Sequence, residues 1–89
     1  MEIEYDPFKQ RITLQERGLD MSDTAEVFDG PNLTFEDIRF DYGENRFVTV
    51  GYMNDKLVVL AWTFRGKARR IISLRQANKR EKKTYAPRF

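Results

Sequence analysis

The sequence predicts an α+β fold: two N-terminal helices, an antiparallel β-meander of about four strands, and a C-terminal helix. Three observations carry that expectation. Helix start and stop signals crowd the first third of the chain, from Asp6-Pro7 to Gly30-Pro31. Between residues 33 and 74, four apolar, strand-like runs are separated by turns that allow only antiparallel hairpins. A capping box, Ser73-x-x-Gln76, then opens a basic segment that ends before Pro87. With 89 residues, a single domain spanning 1–89 is expected.

The elements follow in order. Residues 3–5 read as a short strand. Asp6 suits an N-cap and Pro7 the first helical position, where a missing N–H costs nothing. That helix should run to about Arg17 and end at Gly18, which tolerates a left-handed cap. Asp20 or Ser22 can cap a second short helix carrying Ala25, Val27 and Phe28, stopped by Gly30-Pro31. Strands are expected at 33–41, 46–53, 57–64 and 69–74, with turns at Gly43-Glu44-Asn45, Asn54-Asp55 and Gly66-Lys67. The run 57–64 is apolar on both alternate faces, as a central strand covered or docked on both sides would be. The last helix should start near Leu74 and reach about Tyr85.

Composition narrows the chemistry. Hydrophobic residues make up 40% and charged residues 34%, the balance of a folded soluble protein. The chain has no cysteine and no histidine, which excludes disulfides, thiolate metal sites and Ser/His/Asp or Cys/His nucleophile systems. No glycine-rich phosphate loop occurs among the 5 glycines. Glu36, Asp37 and Asp41 are poor metal ligands as a set, because an alternating strand would not converge them. No metal and no cofactor is expected. No apolar run approaches the roughly 18 residues of a membrane span, and no signal-peptide pattern opens the chain, so a cytoplasmic protein is expected.

The net charge of +2 hides a strong asymmetry. Residues 1–44 hold 4 Lys/Arg and 12 Asp/Glu; residues 45–89 hold 12 Lys/Arg and 2 Asp/Glu. The basic half fits a polyanion partner, although the two halves could equally attract each other. In the basic half, Ala77, Glu81 and Tyr85 recur at i, i+4 and i+8, one helical face. Arg75, Lys79, Lys82 and Lys83 spread over the neighbouring face, able to grip phosphates beside proton-transfer groups. A solvated helix with surface ion pairs is the plainer alternative. Arg69 and Arg70 must point to opposite sheet faces, so only one can join Arg46 and Arg75. Arginine suits that role because its fork binds phosphate bidentately. Lys9 sits on the first turn of a helix, where it could hold an anion jointly with free N–H groups or, more simply, stand as an exposed lysine. Of Trp62, Phe64, Tyr52, Phe47 and Phe40, most are expected in the core, with Trp62 the least certain.

The order of these motifs resembles the BrnT family, the toxin component of type II toxin–antitoxin pairs. The likeness rests on Asp6-Pro7 with Lys9, the Gly18 turn, Ala25 with Val27-Phe28-Asp29, and Glu44 and Arg46 leading to Gly51. Its most specific part is Arg70-Ile71-Ile72-Ser73 with Arg75, Ala77, Glu81 and Tyr85. The resemblance implies a RelE-like fold and an endoribonuclease that cleaves RNA without a metal and inhibits translation. A cognate BrnA-like antitoxin would neutralise it, with operator DNA contacted only through the antitoxin complex. Masking of the basic face is the expected means of neutralisation. Lys9, Arg17, Arg46, Arg75, Glu81 and Tyr85 become the catalytic candidates, and Arg70, Lys79 and Lys82 the RNA-binding ones. One position departs: where the family often has Lys-His-Gly, this chain has Glu16-Arg17-Gly18. Arginine can hold phosphate, but it cannot shuttle a proton near neutral pH.

Overall fold

The computed structural model describes residues 1–89. Its elements are β1 (Glu2–Glu4), α1 (Pro7–Arg17), α2 (Ala25–Asp29), β2 (Asn32–Asp37), β3 (Arg46–Met53), β4 (Lys56–Arg65), β5 (Ala68–Gln76) and α3 (Lys79–Tyr85). The strands form one sheet in the order β1-β5-β4-β3-β2. No helix is long and apolar enough to cross a membrane.

Local signals set the first helix. The Asp6 carboxylate accepts the Phe8 N–H at 2.9 Å, and Gly18 closes the helix at φ 67°. The second helix is shorter than expected. Residues 21–29 divide into a 3-10 turn, Met21–Asp23, and a five-residue α2. The tighter turn spaces Met21, Thr24 and Val27 three apart, which sets all three against the sheet, almost fully buried. Asp20 caps the turn through the Ser22 N–H.

The antiparallel meander β2-β3-β4-β5 is as expected, and β4 is its central strand. Asn54 and Asp55, at φ 51° and 64°, form the two-residue turn between β3 and β4. Three boundaries and one pairing differ from expectation. The sheet has five strands and is mixed, because β1 joins the outer edge of β5 in parallel, Ile3 opposite Arg69. A three-residue segment carries no pattern that names its distant partner. β2 stops at Asp37, not 41, because Arg39 and Tyr42 fold back onto the Asp37 carboxylate. The C-terminal helix starts at Lys79, not Leu74: pairing with β4 holds β5 extended through Gln76, and Ala77 N–H still reaches the Leu57 carbonyl. The working capping box is Asn78 with Glu81.

Strand alternation sorts the sheet into two unlike faces. α1, the 3-10 turn and α2 cover one, over a core of nine residues that includes Leu19, Met21, Val27, Leu60, Trp62 and Leu74. Trp62 is its centre. The indole N–H donates to the Thr49 hydroxyl at 2.8 Å, and Phe47 stacks on it at 4.8 Å. Gly51 lies where α2 crosses β3; a Cβ there would sit 2.9 Å from Val27 Cγ1. The other face has a smaller core of Val50, Leu57, Val59 and Ala77, with α3 covering only part of it. Of the strand and loop aromatics, Phe64 at the end of β4, Phe40 beyond β2 and Tyr52 on the open face are exposed rather than core, while Trp62 is buried.

Candidate active site

The uncovered part of the open face forms a cleft of about 440 Å³. Val48, Val50, Val59 and Ala61 make its floor, Ser73 and Arg75 of β5 and Glu81 and Tyr85 of α3 one wall, and Phe35 with residues 37–39 the other. Sheet register builds this arrangement. Leu33, Val50, Val59 and Arg75 form one cross-strand row, and Phe35, Val48, Ala61 and Ser73 the next. Ser73 pairs with Ala61 but Ile71 with Trp62, so Ile72 is an extra residue in β5. This bulge keeps Arg70, Ser73 and Arg75 on the open face and Arg69 on the covered one.

Arg75 and Glu81 form a fork: Nη1 lies 2.7 Å from Oε1 and Nη2 2.9 Å from Oε2. Glu81 Oε1 also accepts the Asn78 N–H at 2.9 Å, so one carboxylate serves both the helix cap and the arginine. The Arg75 hydrogen bonds pull the Glu81 pKa down to about 2, partial burial opposes this, and the Asn78 N–H adds to it. Arg75 is held charged in return. Across the cleft, Arg39 makes a second fork, with 2.9 Å bonds to both Asp37 oxygens. It drives Asp37 well below the usual carboxylate range. Sequence reasoning missed Arg39. The available signal was its isolation: it is the one cation between Gly18 and Asn45.

Not all expected site residues meet in this cleft. Arg75, Glu81 and Tyr85 do. Arg46 and Arg70 share the open face by register, but each is paired, Arg46 with Glu44 at 3.3 Å and Arg70 with Glu4. Arg46 also lies over the Tyr42 ring, 4.1 Å from its centroid. Arg69 stacks on Phe28 and Trp62 on the covered face. Lys79 and Lys82 are exposed on α3. Lys9 and Arg17 project from α1 to the far side of β5, where they line a separate depression of about 280 Å³. There Lys9 Nζ donates to the Ile72 carbonyl at 2.7 Å, and Arg17 Nη1 to the Leu74 carbonyl at 2.8 Å. β1 covers only Ala68–Arg70, so these two cations satisfy edge carbonyls that no strand reaches. Ser73 borders both hollows. Glu36, Asp37 and Asp41 do not converge into a group able to hold a metal ion.

No curated protein matches the chain significantly. The model of one family, described as the ribonuclease toxin BrnT of type II toxin–antitoxin systems, matches residues 5–81. That span holds the β5 bulge, the Arg75–Glu81 fork, and Lys9 and Arg17 of α1; Lys82 and Tyr85 lie just past it. With most of its length matched, the chain belongs to the BrnT family of ribonuclease toxins.

Proposed function

We propose that this toxin is a metal-independent endoribonuclease that works in the open-face cleft, inhibits translation in the cytoplasm, and is neutralised by a cognate BrnA-like antitoxin. Operator DNA is contacted only through the antitoxin complex. The observation that carries this reading is the convergence of a guanidinium, a carboxylate and a phenol, from Arg75, Glu81 and Tyr85, on one cleft.

In the proposed reaction, an RNA phosphate takes the place of Glu81 on the Arg75 fork, which matches phosphate oxygens as well as it matches a carboxylate. Once released, Glu81 loses the contact that depresses its pKa and becomes a competent base. It takes the proton of a ribose 2′-OH. The 2′-oxygen attacks the adjacent phosphorus, and the 5′-oxygen of the next nucleotide leaves with a proton from the Tyr85 phenol. The products are a 2′,3′-cyclic phosphate and a 5′-hydroxyl. Arg75 stabilises charge growing on the phosphoryl oxygens. Arg46 on β3, Arg70 on β5, and Lys79 and Lys82 on α3 add basic groups around the cleft that hold the RNA backbone. Lys9 and Arg17 act as positioning residues, holding the backbone that carries Ser73 and Arg75.

Incubation with a defined RNA in EDTA tests this. Cleavage should continue without metal and stop when the attacking ribose lacks its 2′-OH. Cleavage of the deoxy substrate, or a magnesium requirement, overturns the mechanism. One observation favours a second reading, a toxin homologue that binds antitoxin and RNA without cutting: Glu81 is tied to Arg75 and is a weak base while it stays there. Growth arrest on expression, lost in a folded Arg75→Gln variant, excludes that reading.

A further inference from the structure

The acidic half of the molecule carries a feature that RNA cleavage leaves unused. β2 is the last strand of the sheet, so one whole edge has no neighbour. Such edges are usually blunted by charge, proline or a bulge; residues 32–35 of β2 contain none of these, and charge enters only at Glu36 and Asp37. Just beyond it, Ile38 and Phe40 project into solvent, 81% and 66% exposed, with half-exposed Phe35 beside them.

The exposure is not that of a loose loop. The Asp37 carboxylate accepts four hydrogen bonds, from the Arg39 N–H, Nε and Nη2 and from the Tyr42 hydroxyl. Asp41 accepts the Gly43 N–H at 2.9 Å, and Gly43 supplies the positive φ of 71° that the turn needs. The backbone is thus fixed while its largest apolar side chains face outward, which lowers the entropy cost of docking there. Clustered exposed apolar residues on a rigid edge mark an interaction surface. The surrounding charge selects the partner's sign: Arg39 pairs with Asp37 and Arg46 with Glu44, which leaves Glu36 and Asp41 as carboxylates without a cation partner.

We infer that the β2 edge and the 38–42 loop form the docking site of the antitoxin, which adds an extended segment carrying basic and apolar side chains alongside β2. Main-chain hydrogen bonds along the strand edge supply affinity, and Ile38 and Phe40 anchor the segment. Phe35 and residues 37–39 are also one wall of the cleft, so a segment seated there overhangs the entrance. Neutralisation then works from the acidic half, by covering the cleft, without a contact to Arg75. The inference rests on the toxin reading above.

The test measures binding of a purified cognate BrnA-like antitoxin, by isothermal titration, to the wild type and to Ile38→Lys, Phe40→Lys and Arg75→Gln variants, with RNA cleavage and light scattering alongside. Ile38→Lys and Phe40→Lys should each weaken the antitoxin at least about tenfold, and Phe40→Lys should cut RNA at the wild-type rate. Arg75→Gln should bind antitoxin like the wild type and fail to cut. Wild-type affinity in both lysine variants, no antitoxin binding by the wild type, or a loss confined to Arg75→Gln overturns the inference. So does a toxin-only dimer dissolved by Ile38→Lys, which assigns the edge to a second copy. If Arg75→Gln still cuts RNA, the cleavage mechanism fails while the docking result stands.

Discussion

The two faces of one sheet divide the molecule's work. On the helix-covered face, Trp62, Leu60, Val58 and Leu74 are buried together, and the indole N–H and Thr49 hydroxyl satisfy each other. On the open face the same strands present Val59, Ala61, Ser73 and Arg75 to a cleft. Neighbouring residues of one strand therefore serve different ends: Leu74 holds the fold together, and Arg75 lines the cleft in which we propose that RNA binds. In a domain this small, one well-packed face must supply most of the stability so that the other can stay open and charged.

Substitutions on the two faces should separate along that line. Trp62→Ala removes the centre of the covered core and should cost about 3–5 kcal/mol, enough to leave little folded protein in a thermal melt. Arg75→Gln should do the reverse. Cleavage of a defined RNA should fall by about a hundredfold or more, while the melt shifts by no more than about 1 kcal/mol, because the fork is partly solvated. Gly51→Ala pushes a methyl against Val27. It should cost about 1–3 kcal/mol in denaturant unfolding and leave the cleavage rate of the folded fraction unchanged. A melt that barely moves in Trp62→Ala, or a large one in Arg75→Gln, would dissolve the division.

The smallest expected effect is a pH dependence confined to the open face. The Glu81 pKa falls from an ordinary 4.5 to about 2 on folding. A depressed carboxylate stabilises the folded state fully above its unfolded pKa, and that contribution disappears as pH falls toward the folded value. Unfolding measured between neutral pH and pH 2 should show a loss of about 1 kcal/mol from this pair, after discounting for the exposure of Arg75. The Arg75→Gln variant should lack that component.

What the sequence disclosed was largely what neighbouring residues decide. Asp6, Pro7 and Gly18 specify α1 by themselves, and the two-sided apolar run of β4 reveals a central strand. Where two local signals competed, pairing decided. Ser73 and Gln76 spell a capping box, yet register with Ala61 and Val58 keeps both in β5, and Asn78 with Glu81 caps the helix. Lys9 was legible as a cation at a helix start, but its partner, the Ile72 carbonyl, lies 63 residues away. Arg39 escaped notice because its acidic neighbours suggested no cleft. Its place on the rim depends on β2 ending at Asp37, which the fold-back of Arg39 and Tyr42 onto that carboxylate sets and no strand pattern announces.

The most direct test of the division is an amide chemical-shift titration of the isotopically labelled protein with a single-stranded 2′-O-methyl RNA, which binds but cannot be cut. Shifts should concentrate at residues 35–39, 73–75 and 81–85 and spare buried Val27 of α2. Shifts centred instead on Lys9, Arg17 and Ile72, with the open-face cleft silent, would contradict it and move the RNA site to the other side of β5.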